Sequence, residues 1–237
     1  MSPSSPPRRV GRWVLAAGLV AGLASWLVGE TPLVRPPAPE MEMTVMGRTF
    51  QSSTPQGRMD AADADAARFQ GVFGATLGLM LGLAGGLSRR SPRAAAVSAL
   101  VGAAVGASCG LAAARGSLPL YRRLQYTVSN DLIASLAMHG PPFALAGAAG
   151  GLALGIALGG RSLLVRSTLG GALGALIGAV VFEFLGALVF PTSETGQPLA
   201  ASAPARLLAP LIVAAFASLG ALGAVTPPQS RQPIAET

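Results

Sequence analysis

FALAGAAGGLALGIALGG, the run from Phe143 to Gly160, contains no charged or strongly polar side chain. A helix of this length falls in the range that crosses the roughly 30 Å hydrocarbon core of a bilayer at about 1.5 Å per residue. Five more runs share its character: Val10 to Val28, Phe69 to Leu87, Ala94 to Ala114, Leu163 to Phe190 and Leu207 to Val225. The expected fold is therefore all-α, a polytopic membrane protein built as a six-helix transmembrane bundle. Its organisation reads as an N-terminus at 1–9, a transmembrane helix or signal anchor at 10–28, a loop at 29–68 and a first helical hairpin at 69–114. There follow a connection at 115–142 with an interfacial helix, a second hairpin at 143–190, a loop at 191–206, a sixth span at 207–225 and a tail at 226–237.

Composition agrees with lipid as the solvent. Of 237 residues, 51% are hydrophobic and only 11% charged, and the mean hydropathy is +0.55; so few charges cannot coat a globular surface of this size. The formal net charge of +7 does not point to nucleic acid, because the arginines stand in short clusters beside the apolar runs and no basic helix with interleaved aromatics occurs. All seventeen basic residues are arginine, which removes a Walker A phosphate loop, Schiff-base chemistry and any lysine base. With one cysteine, Cys109, and one histidine, His139, there is no disulfide framework and no zinc set. No cofactor motif and no metal site is expected.

Arginine placement orients the spans. Arg8, Arg9 and Arg12 precede the first, Arg89, Arg90 and Arg93 follow the second, and Arg161 and Arg166 follow the fourth; these alternate connections should be cytoplasmic. The stretch from Glu30 to Arg68 carries six acids against four arginines and suits the far side. Arg115, Arg122 and Arg123 run against this pattern, in a longer connection where the rule is weaker. Both termini are expected to be cytoplasmic, in a bacterial inner or plasma membrane. The first span also has the basic start and small-x-small pair (Gly22, Ala24) of a signal peptide, but its apolar run continues through Trp26, Leu27 and Val28, which favours an uncleaved anchor.

Four spans carry glycine at every fourth position: Gly74, Gly78 and Gly82; Gly102, Gly106 and Gly110; Gly147, Gly151, Gly155 and Gly159; Gly170, Gly174 and Gly178. A stripe without side chains lets two backbones approach closely, and in lipid that contact supplies much of the helix association. These residues are the candidate helix-packing sites. The first span has a single GxxxG, Gly18 and Gly22, and should depend on it less. A shift of 73 residues lays Gly74, Gly78, Gly82 and Gly86 on Gly147, Gly151, Gly155 and Gly159, and with one deletion Gly102 and Gly106 fall on Gly174 and Gly178. The pattern reads as a duplicated, glycine-striped hairpin whose copies run in the same sense.

Glu183 is the one clear acid inside a span, among Val180, Val181, Phe182 and Phe184, where ionised carboxylates are costly. It reads first as a structural contact, protonated and hydrogen-bonded across helices or paired with Arg115 or Arg206, and second as a proton or cation site. Ser108, in the run Gly106-Ala107-Ser108-Cys109-Gly110, resembles the serine of intramembrane proteases only superficially: Cys109 replaces the second glycine of GxSG, and His139 stands before a Gly-Pro-Pro sequence expected to end a helix. Met41, Met43 and Met46 have thioethers suited to Cu(I), but without histidine or cysteine beside them they read as loop methionines. Asp60, Asp63 and Asp65 fit acids at a helix start. Tyr121 to His139 reads as an interfacial helix, capped by Ser129 or Asn130 and stopped by Gly140, Pro141 and Pro142.

The expected function is a non-enzymatic structural or accessory subunit, with a membrane-protein partner or a second copy of the chain. A small-solute or proton-linked transporter or channel using Glu183 is the alternative. A polar cavity reaching mid-membrane beside Glu183 would favour transport, and a bundle filled by glycine contacts would favour a scaffold.

Overall fold

The computed structural model of the chain describes residues 7–37, 40–46, 48–127, 131–192 and 196–226. Six helices account for nearly all of them: α1 (Pro7–Gly29), α2 (Pro55–Ser88), α3 (Pro92–Thr127), α4 (Asp131–Leu158), α5 (Arg161–Val189) and α6 (Ala203–Val225). All six are long and apolar enough to cross a membrane. A short antiparallel hairpin, β1 (Met41–Val45) and β2 (Arg48–Ser52), interrupts the connection between α1 and α2. Met41 and Met43 fall on β1, and Met46 stands fully exposed at its turn with a positive φ of 51°.

Contacts of α1 with α2, α2 with α4, α4 with α5, α5 with α6 and α6 with α1 close a ring, and α3 lies against α2 and α4. The core inside the ring holds Val14, Phe73, Leu77, Phe143, Leu154, Phe182 and Val213 with small residues between them. The outside is as apolar as the inside. On α5, Leu169, Leu173, Ile177 and Leu188 are more than half exposed, which is the surface expected of a helix whose solvent is lipid rather than water.

Two helices exceed a bilayer. At about 1.5 Å per residue, α2 and α3, with 34 and 36 residues, are roughly 50 Å long. Both extend past the other spans at the end of the bundle opposite the start of α1 and the end of α6, called the distal end below. Residues 55–68 thus belong to α2 and 115–127 to α3, rather than to loops. Thr54 starts α2, its side chain accepting from Gly57 N at 3.0 Å with Pro55 in the first turn, a favourable helix start.

The segment read as an interfacial helix is divided between two spans. Tyr121 lies near the end of α3, while His139, Gly140, Pro141 and Pro142 lie inside α4, which runs unbroken to Leu158; Ser129 and Asn130 fall outside the described residues. Two prolines remove two backbone donors, so the carbonyls of Ala137 and Met138 cannot receive their helical bonds. Neighbouring elements hold a span together across such a gap where leaving the helix would expose more backbone. Here Met138, Pro142 and Phe143 are almost completely buried against them.

Glycine contacts set the helix spacing. A Cβ on Gly74 would overlap the backbone of Gly106, one on Gly78 that of Gly102, and one on Gly110 that of Gln70, so α2 and α3 meet backbone to backbone. In the second hairpin Gly147 meets Gly171, Gly151 meets Ser167 and Gly155 meets Leu164. The α5 stripe of Gly170, Gly174 and Gly178 faces α6, against Gly220, Phe216 and Val213. The two hairpins therefore differ in register. Copying the Gly74 to Gly106 contact would place Gly147 on Gly178, seven residues and two turns from its actual partner. The turn explains the slip: α4 stops at Leu158, and Gly159 and Gly160 reverse the chain with φ of 75° and 101°, a left-handed ending that glycine adopts without strain. Gly159 is thus a turn residue rather than a member of the packing stripe. Arg89 from the α2–α3 turn reaches across to donate to the Ala157 and Leu158 carbonyls at 3.3 and 2.7 Å, placing a cation at the negative end of α4.

Candidate functional site: a buried histidine–glutamate pair

Glu183 lies on α5 six residues before its end and His139 on α4 eight residues after its start, so antiparallel packing brings both to the same depth near the distal end. Their side chains meet: His139 Nδ1 and Glu183 Oε1 are 2.6 Å apart, with 6% and 4% of the side chains exposed. With Glu183 ionised and the ring protonated on both nitrogens, the imidazolium Nδ1–H donates to the carboxylate. With Glu183 protonated, its O–H donates to Nδ1 of a neutral ring. Either state leaves the pair with no net charge, which suits a site walled by hydrocarbon.

Aromatic rings form that wall. The imidazole centroid is 6.0 Å from Phe143 and 6.2 Å from Phe182, and Phe143 meets Phe73 of α2 edge to face at 5.4 Å. The Glu183 partner is therefore neither Arg115, which is exposed on α3, nor Arg206. Arg206 instead grips Glu30 at the end of α1, Nε to Oε1 at 2.6 Å and Nη2 to Oε2 at 2.9 Å, and donates through Nη1 to the Ala200 and Ala201 carbonyls. The Arg206 hydrogen bonds hold the Glu30 carboxyl below its ordinary range against the opposing effect of partial burial, with the charges of Arg206 and Arg35 adding to the shift. This ion pair ties the first span to the last.

Beside the pair is a cavity of about 20 Å³, lined by Gln70, His139, Phe143, Phe182 and Arg206 among others. Gln70 is 3% exposed, and its Oε1 has no hydrogen-bond partner among the described residues. The cavity has room for about one water molecule.

Ser135 adds a hydroxyl one helical turn before His139, its Oγ 3.4 Å from Nδ1. This is not the geometry of a nucleophilic triad, in which the acid holds one ring nitrogen and the serine the other; here both partners approach the same nitrogen. Ser108 sits on the exposed face of α3, away from the histidine. No group of three or more His, Cys, Asp or Glu side chains that could hold a metal ion occurs among the described residues.

Of the residues singled out in the sequence, Glu183 is at the centre of the site, while the glycine stripes frame the helices around it. His139 and Gln70 were missed as members. Two signals pointed to them: Ser135 and His139 are spaced i, i+4 in a run that stays apolar on both sides of Gly-Pro-Pro, and Gln70 is an amide at the edge of the apolar run that begins at Phe69. Six apolar helices place the chain among integral, multi-pass membrane proteins. In comparisons with known proteins, no family model, no curated protein and no solved structure matches this chain.

Proposed function

We propose that the protein is a non-enzymatic structural or accessory subunit of a membrane assembly, its body fixed by glycine-zipper packing and its distal end latched by the His139–Glu183 pair. The observation that carries this reading is the run of backbone-to-backbone glycine contacts through α2·α3, α4·α5 and α5·α6, which fills the space between helices with main chain. Glu183 then acts as a structural contact whose partner is His139. The exposed apolar faces of α3 and α5 meet lipid, a membrane-protein partner or a second copy of the chain. The arginine-rich turns at Arg89 to Arg93 and Arg161 to Arg166 favour a cytoplasmic position for the end bearing both termini, in a bacterial inner or plasma membrane.

The second reading, a proton-linked transporter or channel, is favoured by one observation: a buried imidazole–carboxyl pair with a water-sized cavity beside it. Proteoliposomes separate the two. The structural reading expects wild-type protein to pass protons and common cations no faster than empty vesicles. A pH-dependent flux lost in Glu183→Gln, in protein that remains folded, would replace it with the transport reading, since an amide cannot titrate.

A further inference from the structure

A second and larger concavity, of about 390 Å³, lies in the groove between the distal ends of α2 and α3. Arg68, Arg115 and Arg122 line it, with Asp63 as the one acid on its wall, and Ala64, Ala67 and Leu118 give it an apolar floor. Two of these arginines are matched. Arg122 Nε donates to Asp63 at 3.1 Å, and Arg68 Nη1 donates to Asp65 at 3.0 Å. Arg115 has no hydrogen-bond or ion-pair partner among the described residues. Three guanidiniums against two carboxylates leave one positive charge, on the side chain that is free to donate.

The height of the groove selects the ligand. Arg115 directly follows the apolar run that ends at Ala114, and Arg68 directly precedes the one that begins at Phe69. Both guanidiniums therefore stand where hydrocarbon gives way to headgroups, and guanidinium is the side chain best shaped to hold phosphate oxygens in pairs. Below Arg115 the exposed strip of α3 continues through Ala112, Ser108, Ala104 and Val101 at helical spacing. Apart from the Ser108 hydroxyl its exposed side chains are apolar, which makes the strip a track for hydrocarbon. A free phosphate ion would have no use for that track, whereas an acyl chain would lie along it.

We propose that this groove binds one anionic phospholipid, its phosphodiester held by Arg115 and Arg68 with Arg122 at the outer rim, and an acyl chain on the α3 strip. The single unmatched positive charge favours a lipid of net charge −1 over a zwitterionic one. The proposal rests on the bilayer placement of the six helices and fails separately from it: a chain that needs detergent to stay in solution but prefers no lipid would retain the membrane reading and lose the site.

Native mass spectrometry of the full chain in mild detergent tests it, with phosphatidylglycerol, phosphatidylcholine or inorganic phosphate added. One phosphatidylglycerol should remain bound under conditions that strip phosphatidylcholine. Arg115→Ala should weaken its retention about fivefold, the worth of one arginine near a membrane surface, without lowering the unfolding temperature, because Arg115 supports no other side chain. Arg115→Lys, which keeps the charge but not the paired donors, should fall between wild type and Arg115→Ala, and Arg161→Ala, at the opposite end, should hold all of the lipid. Equal retention of the two lipids, displacement of the lipid by inorganic phosphate, or equal losses in Arg115→Ala and either Arg115→Lys or Arg161→Ala would overturn the proposal.

Discussion

At the scale of single residues, the His139–Glu183 pair is a buried polar contact between two spans. Removing one member strands the other in a site of aromatic rings, a change that typically costs about 3–5 kcal/mol. Glu183→Leu and His139→Leu should each lower the unfolding temperature in detergent markedly. Glu183→Gln should lower it less, because the amide keeps the side chain's size and still bonds to Nδ1, and the double leucine variant should regain part of the loss, since no stranded polar group remains. Thermal unfolding of the four variants checks this. Melting of Glu183→Leu at the wild-type temperature would deny the pair any structural role.

At the scale of elements, glycine packing and turn geometry decide which helix faces meet. Leucine at Gly74, Gly151 or Gly174 must displace backbone, so each should destabilise by about 1–3 kcal/mol or more. Gly18 belongs with them despite its lone GxxxG: a Cβ there would run into Ser218 and the carbonyl of Ala214 on α6. Gly116, with nothing within 4 Å of its would-be Cβ, is the control, and Gly116→Ala should be neutral or gain up to about 1 kcal/mol in helix propensity. Equal stability of Gly116→Ala and Gly151→Leu would remove the packing account. The same contacts explain what could be read in advance. Spans with strong apolar runs, such as Phe143 to Gly160, declare themselves through length and composition. The helix through Gly140-Pro141-Pro142 did not, because local propensity there signals a stop and only packing around Met138 and Phe143 overrides it. That one misreading left His139 at the end of an interfacial helix, outside the spans, and hid the partner of Glu183. The partner face of the α5 stripe was equally hidden, since a glycine row does not say which neighbour it meets, and the α4–α5 turn at Gly159 and Gly160 decides it.

At the scale of the whole molecule, the bundle is tied at its distal end by contacts that link distant parts of the chain, among them Glu30 with Arg206, Asp63 with Arg122, and His139 with Glu183. The opposite end carries the arginine turns. If these turns face the cytoplasm, cysteine introduced at Ser53 should react with an impermeant thiol reagent in intact cells and cysteine at Ser91 should not; the reverse pattern would invert the molecule. The central claim is that this closely packed body serves an assembly. The most direct measurement is the mass and composition of the species that carries the full-length chain when its own membrane is extracted in mild detergent. The account predicts a complex of fixed stoichiometry, containing either another membrane protein or further copies of the chain. Recovery of single chains alone, at every detergent mild enough to preserve the fold, would contradict it.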